Sequence, residues 1–224
     1  MKNKVLVIGA DHHNTLGIVE SLGQKGLNSY VLIVGENINS FVLKSRYVIE
    51  GWVCSSPEQV VDEMLKHFSD TKNKVIVYSS YDNISSVLDS SVQRLSPFFI
   101  LPVTNMPGSL ERKMSKEYMS DLAREVGLDV PRTWMVSDRE VPTDIEFPCI
   151  TKAISSVEGS KKNIKICKKR EELEEFLANS EHCPIIQIQK FIIKDFEFQF
   201  LGCSMDNGKH IIISGRTHID RPNG

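Results

Sequence analysis

The strongest constraint on this chain is an alternation that runs through its first half. KVLVI at 4–8 is a β-branched run that ends at Gly9. TLGIVESLGQKG at 15–26 then sets Leu16, Val19 and Leu22 at helical spacing, with Gly26 behind them as a stop. YVLIV at 30–34 reads as a second strand, and RYVIEGW at 46–52 contains a third. PEQVVDEMLKHF at 57–68 opens with proline, carries early acids and puts Val60, Val61, Met64, Leu65 and Phe68 on one face, which predicts a helix. KVIVYS at 74–79 is another strand, with a helix expected near 82–95. Strands alternating with helices predict a parallel sheet covered on both sides.

The texture changes at LPVTNMPGSLERK, 101–113, where two prolines, a glycine and polar residues suggest a boundary. SKEYMSDLAREV at 115–126 predicts a helix capped by Ser115 and stopped by Gly127, and Pro131 starts a new segment. From 147 the pattern is strand, loop, strand, then a helix over KREELEEFLAN at 169–179. PIIQIQKFI (184–192), FEFQFLGC (196–203) and KHIIISGRT (209–217) read as strands, and the alternation in FEFQF suits a half-buried antiparallel one. The expected class is an α/β lobe followed by an α+β lobe, ending on the turn-like HIDRPNG.

Composition narrows the function. A formal net charge of -2 over 224 residues gives no global pull toward nucleic acid or an anionic membrane. No apolar run approaches the ~20 residues that span a bilayer. The apolar stretch of MKNKVLVIGADHHN reads as a first strand and not as a signal peptide, so a cytoplasmic protein is expected. The five cysteines are scattered, with no Cys-x-x-Cys pair, which argues for reduced thiols over a zinc site or disulfide framework.

The loop after the first strand, GADHHNTLG, offers a helix N-terminus at a strand end. A dinucleotide fold would place Gly-x-Gly-x-x-Gly here, whereas this loop has Gly9 and Gly17 with Asp11, His12 and His13 between them. Glu36 comes late for a ribose contact, so NAD(P) binding is disfavoured. His12 and His13 are either a solvated pair or part of a small-molecule site at the strand ends.

The second lobe opens with FPCITKAISSVEGSKKNIKIC, 147–167. Lys152 closes an apolar strand in which Phe147 and Ile150 are expected to face the interior. Between Lys152 and Arg170 there are also Lys161, Lys162, Lys165, Lys168 and Lys169, against the one acid Glu158. A solvated face explains most such runs. A lysine fixed at a strand end can instead present a point charge to a phosphate, and small residues after it can fold backbone N–H groups over phosphate oxygens. Lys116, in the helix at 115–126, reads on position alone as an exposed helix lysine.

Four stretches together resemble the ATP-grasp superfamily of carboxylate–amine ligases, the group of biotin carboxylase and carbamoyl phosphate synthetase large chains. They are KVLVIGADHHNTLGIVESLGQKGLNSYVL, SKEYMSDLAREVGLDVP, FPCITKAISSVEGSKKNIKIC and PIIQIQKFI, in that order. The resemblance implies a Rossmann-like pre-grasp domain over 1–104. It implies a small grasp subdomain with a flexible lid over 105–186, and the start of a C-terminal grasp subdomain over 187–224. It further implies that Lys116 and Lys152 contact ATP phosphates and that Ser155, Ser156, Gly159 and Ser160 form the lid. Gln189, Lys190, Phe191 and Ile192 would line the adenine pocket, the backbone of Lys190 to Ile192 pairing with the base edge. Glu197 would reach the ribose or lie just beyond it, and Arg216 or Arg221 would hold a γ-phosphate or acyl phosphate.

Two departures stand out. Many members carry glutamate where this chain has Gln189; an amide still accepts a hydrogen bond from an adenine amino group. The family's Mg²⁺ ligands follow the arginine segment, so the resemblance implies that they lie past Gly224 and that this stretch alone is poorly active. The implied reaction uses Mg-ATP to turn a small-molecule carboxylate into an acyl phosphate, which an amine or thiol then displaces. A homodimer is the family-level expectation. A non-catalytic nucleotide-binding module is the rival reading, and an NAD(P) oxidoreductase the third.

Overall fold

A computed structural model of the chain describes residues 3–103, 106–137, 140–153, 164–179, 185–193, 197–205 and 209–219. They fall into two compact units, Met1–Leu128 and Asp129–Gly224.

In the first unit, β1 (Val5–Gly9), α1 (His13–Gly23), β2 (Ser29–Val34) and β3 (Val48–Cys54) lead to α2 (Val60–Phe68), which a 3-10 turn at Pro57–Gln59 precedes. β4 (Val75–Ser79), α3 (Asp82–Ser90), α4 (Val92–Leu95), β5 (Phe99–Ile100), α5 (Ser109–Met114) and α6 (Lys116–Glu125) follow. All four strand pairings are parallel, in the order β3-β2-β1-β4-β5. The expected parallel sheet is present, and its centre explains the apolar runs. All five residues of β1 are buried, as a strand covered on both faces requires. Leu6, Ile8 and Leu32 pack with α2 and α3 through Met64, Phe68, Ile84 and Leu88. Val7, Val31 and Ile33 meet Val19 of α1 on the opposite face. Each such large apolar side chain contributes roughly 1.5–3 kcal/mol on burial.

Gly9 is dictated by crowding at the end of β1. A Cβ there would lie 2.1 Å from Ser80 Oγ and 2.3 Å from Thr15 Oγ1. Ser115 caps α6 as its position predicts, its side chain accepting the Tyr118 N–H at 3.1 Å. Gly127 ends the same helix at φ +80, with the Leu128 N–H reaching back to the Ala123 carbonyl. Ser115 is at once the C-cap of α5 and the N-cap of α6. α5 is tied to α3 by Asp89, whose Oδ2 accepts the Leu110 N–H at 2.9 Å.

The second unit holds β6 (Thr133–Val136), β7 (Cys149–Ala153), β8 (Ile166–Cys167), α7 (Arg170–Ala178) and β9 (Ile186–Lys190), then a ribbon of β10 (Glu197–Met205) and β11 (His210–Ile219). β6, β9, β7 and β8 form an antiparallel sheet in that order, and β10 pairs antiparallel with β11. One face of the four-stranded sheet packs on Leu173 and Leu177 of α7 through Val136, Cys149, Cys167, Ile186 and Ile188. The phase of β7 corrects the sequence reading. Cys149 and Thr151 are the fully buried residues, while Ile150 lies on the opposite face, the one that carries Lys152. Phe147 packs against the core only in part. No helix among the described residues is long and apolar enough to cross a membrane.

Candidate functional site

Three candidate polar side chains of the second unit's sheet, Lys152, Gln189 and Thr133, lie on the face turned away from α7. Registers set Thr133 opposite Gln189 and Gln189 opposite Ile150, while Met135 faces Gln187 and Gln187 faces Lys152. Directly opposed residues of an antiparallel pair project to the same side, so these six share one face. Three of them are joined across β7, β9 and β6. Lys152 Nζ donates to Gln189 Oε1 at 2.8 Å, and Gln189 Nε2 donates to Thr133 Oγ1 at 3.3 Å. The Thr133 hydroxyl then donates to the Pro131 carbonyl at 2.9 Å.

The strand that presents Lys152 is fixed from its buried side. Thr151 donates its N–H to the Lys165 carbonyl at 2.9 Å, and its Oγ1 accepts the Lys165 N–H at 2.9 Å. Ile150 gives the lysine an apolar neighbour on its own face. Gln187, 4% exposed, carries a buried Oε1 with no hydrogen-bond partner among the described residues.

The end of β9 splits its polar groups between two jobs. The Lys190 N–H donates to the Arg132 carbonyl and the Phe191 N–H to the Pro148 carbonyl, both at 2.9 Å. The Lys190 ammonium turns to Glu146, with Nζ 2.5 Å from Oε2, and Arg132 adds a second contact to that carboxylate at 3.5 Å. The Lys190 hydrogen bond, its charge and then Arg132 hold the Glu146 carboxyl below its ordinary range. The Lys190 ammonium and N–H are thus both engaged within this unit. Ile192, just past the strand, is exposed.

The remaining candidates are spread more widely. Lys116 is the first residue of α6, in the first unit. Glu197 opens β10, and Arg216 lies in β11 opposite Phe200. Ser155, Ser156, Gly159, Ser160 and Arg221 lie outside the described residues. In the first loop, His12 caps α1 by accepting the Asn14 N–H at 3.3 Å, and its ring lies 3.8 Å from that of His13. Asp11, which spacing did not single out, collects the Ser40 hydroxyl, the Asn37 amide and the Val42 N–H. Gly17 lies inside α1 with open space around it.

The residues present suit a nucleoside phosphate: a lysine held at a strand end, an apolar neighbour for a base, and backbone polar groups at the end of β9. Among the described residues no three His, Cys, Asp or Glu side chains cluster as a metal site.

No family model and no curated protein matches the chain. Solved structures do. An L-amino acid ligase from Bacillus licheniformis aligns with 100% of the chain and 52% of its own length, at TM-score 0.72 and 16% identity. An N5-carboxyaminoimidazole synthetase from Staphylococcus aureus aligns with 98% of the chain and 55% of its own, at 0.72 and 11%. An N5-carboxyaminoimidazole synthase from Aspergillus clavatus, solved with ADP and 5-aminoimidazole ribonucleotide, aligns with 100% and 55%, at 0.69 and 12%. These are ATP-grasp ligases, and the chain has their fold. It spans about half the length of the structures it matches.

Proposed function

We propose that the chain is the nucleotide-handling part of an ATP-dependent ligase that joins a small-molecule carboxylate to an amine or thiol through an acyl phosphate. The observation that carries this reading is Lys152. It stands on the face of an antiparallel sheet turned away from α7, hydrogen-bonded to Gln189, in a fold shared with a synthase solved with ADP.

In this reading Lys152 and Lys116 neutralise the triphosphate, and Ser155, Ser156, Gly159 and Ser160 close over it. The adenine edge pairs with the Lys190 carbonyl and the Ile192 N–H, because the Lys190 and Phe191 N–H groups are already used. Glu197 serves the ribose side. A carboxylate oxygen attacks the γ-phosphorus, the bond from that phosphorus to the β,γ-bridging oxygen breaks, and ADP leaves. The nucleophile then attacks the acyl carbon, and inorganic phosphate departs with the carbon–oxygen bond electrons. Arg216 or Arg221 stabilises the charge on the transferring phosphoryl group. The chain's own contribution is positioning and charge, with Mg²⁺ arriving as the counter-ion of ATP. The first domain, a Rossmann-like 1–104, would select the carboxylate.

The test is Mg-ATP-dependent thermal stabilisation of the whole protein with and without Lys152→Ala, followed by phosphate release across a panel of carboxylates and amines. Loss of the thermal shift in the variant, with release by the wild type, supports the ligase. Binding without release for any substrate indicates the nucleotide-binding module. NADH binding without ATP binding would turn the assignment to an oxidoreductase.

A further inference from the structure

The hydrogen bonds that join β7, β9 and β6 have one direction, and the direction is forced. Lys152 can only donate, so the group facing it on Gln189 must be the amide oxygen. Thr133 spends its single hydroxyl proton on the Pro131 carbonyl, so toward Gln189 it can only accept, and the group facing it must be the amide nitrogen. Two independent contacts thus fix which way an otherwise ambiguous amide points.

We propose that Thr133 is a positioning residue. By accepting the Gln189 amide N–H, it turns the amide carbonyl toward Lys152 and holds the lysine ammonium at the phosphate site. This rests on the nucleotide reading above. It also explains what a glutamine requires that a glutamate would not. A carboxylate presents an acceptor on either oxygen and needs no orienting partner, whereas an amide turned by half a revolution would aim its NH₂ at Lys152 and repel it. Thr133 supplies the orientation that Gln189 lacks by itself. All three residues sit in one compact unit, and Thr133 and Gln189 are a directly opposed pair.

The test is a double-mutant cycle read by equilibrium Mg-ATP binding and, separately, by NMR of the Gln189 side-chain NH₂. Thr133→Val keeps the shape and removes the hydroxyl; it should weaken Mg-ATP binding about fivefold, the scale of one net hydrogen bond. Thr133→Ser should restore it. In a Gln189→Glu background, adding Thr133→Val should change affinity by less than about twofold. The Gln189 NH₂ protons should be protected from exchange in the wild type and in Thr133→Ser, and lose that protection in Thr133→Val. The proposal is overturned by a Thr133→Val protein that binds like the wild type, by a serine variant no better than valine, or by an equal loss in the glutamate background. If the wild type binds no Mg-ATP, the nucleotide reading fails and this role with it, while the NMR comparison still decides whether Thr133 orients the amide.

Discussion

Cys149 and Cys167 stand directly opposite each other on β7 and β8, both fully shielded from solvent. Burial, and then the neighbouring Cys167, pushes the Cys149 thiol up to about 12. At pH 8 about one molecule in ten thousand would then carry that thiolate, which is the reactive form. Cys203 is exposed. Alkylation with iodoacetamide at pH 8, mapped by mass spectrometry, should label Cys203 while Cys149 and Cys167 stay unmodified until the protein unfolds. Labelling of all three at similar rates would contradict the packing of this hairpin.

Two glycines in the first unit should respond to alanine with opposite signs. Gly9→Ala forces a methyl into Ser80 and Thr15 and should destabilise by about 2 kcal/mol. Gly17, inside α1 with nothing within 4 Å of an added Cβ, should gain about 0.5–1 kcal/mol as alanine. Chemical denaturation of the two variants checks both. A neutral Gly9→Ala would mean that the turn after β1 is looser than described.

The two ends of α6 should each carry a separable share of stability. Removing the Ser115 cap as alanine should cost about 1 kcal/mol. Replacing Gly127 at φ +80 with alanine should cost roughly 1–2 kcal/mol. The pair should add within about 0.5 kcal/mol in urea denaturation, because the sites share no partner.

Lys116 is the first residue of α6, where a cation opposes the helix dipole. Lys116→Ala should lower Mg-ATP affinity about tenfold through loss of a charged contact. A variant that keeps its affinity would remove Lys116 from the site.

Glu146 governs part of the acid response. Lys190 and then Arg132 depress its pKa from an ordinary value of 4.5. A depressed folded pKa contributes stability that is fully present above the unfolded value and is lost as pH falls through the lower folded value. The gap in unfolding midpoint between wild type and Glu146→Gln should be constant above about pH 5, shrink below 4.5, and narrow at high salt because the group is exposed. A gap that widens on acidification would contradict the pairing.

Much of the fold was legible because its signals are local. The runs of β1 and β2 are buried on both faces, that of β4 shows its buried Val75 and Val77 on one, and α2 and α6 carry periodicity or caps within their own spans. α5 was read as part of a boundary, since its start depends on Gly108 and on Asp89, a carboxylate 21 residues earlier that no local pattern reveals. β5 has two residues and β6 four, too few to show a period. At the candidate site, Lys152 stands out by type and place, and Gln189 only through the family resemblance. The phase of β7 does not, because Phe147, Cys149, Ile150 and Thr151 allow either face to be the inner one. Thr133 was invisible: its partner Gln189 is 56 positions away and meets it only through the pairing of β6 with β9.

The doubled role of Ser115 has a mechanical result. One residue closes α5 and opens α6, so no linker separates the two helices to absorb a displacement. The Leu110 amide is anchored to α3 through Asp89, and the next joint along the chain is Ser115 itself. A disturbance as remote as the packing of α3 is thereby transmitted, through a single short lever, to the backbone from which Lys116 extends.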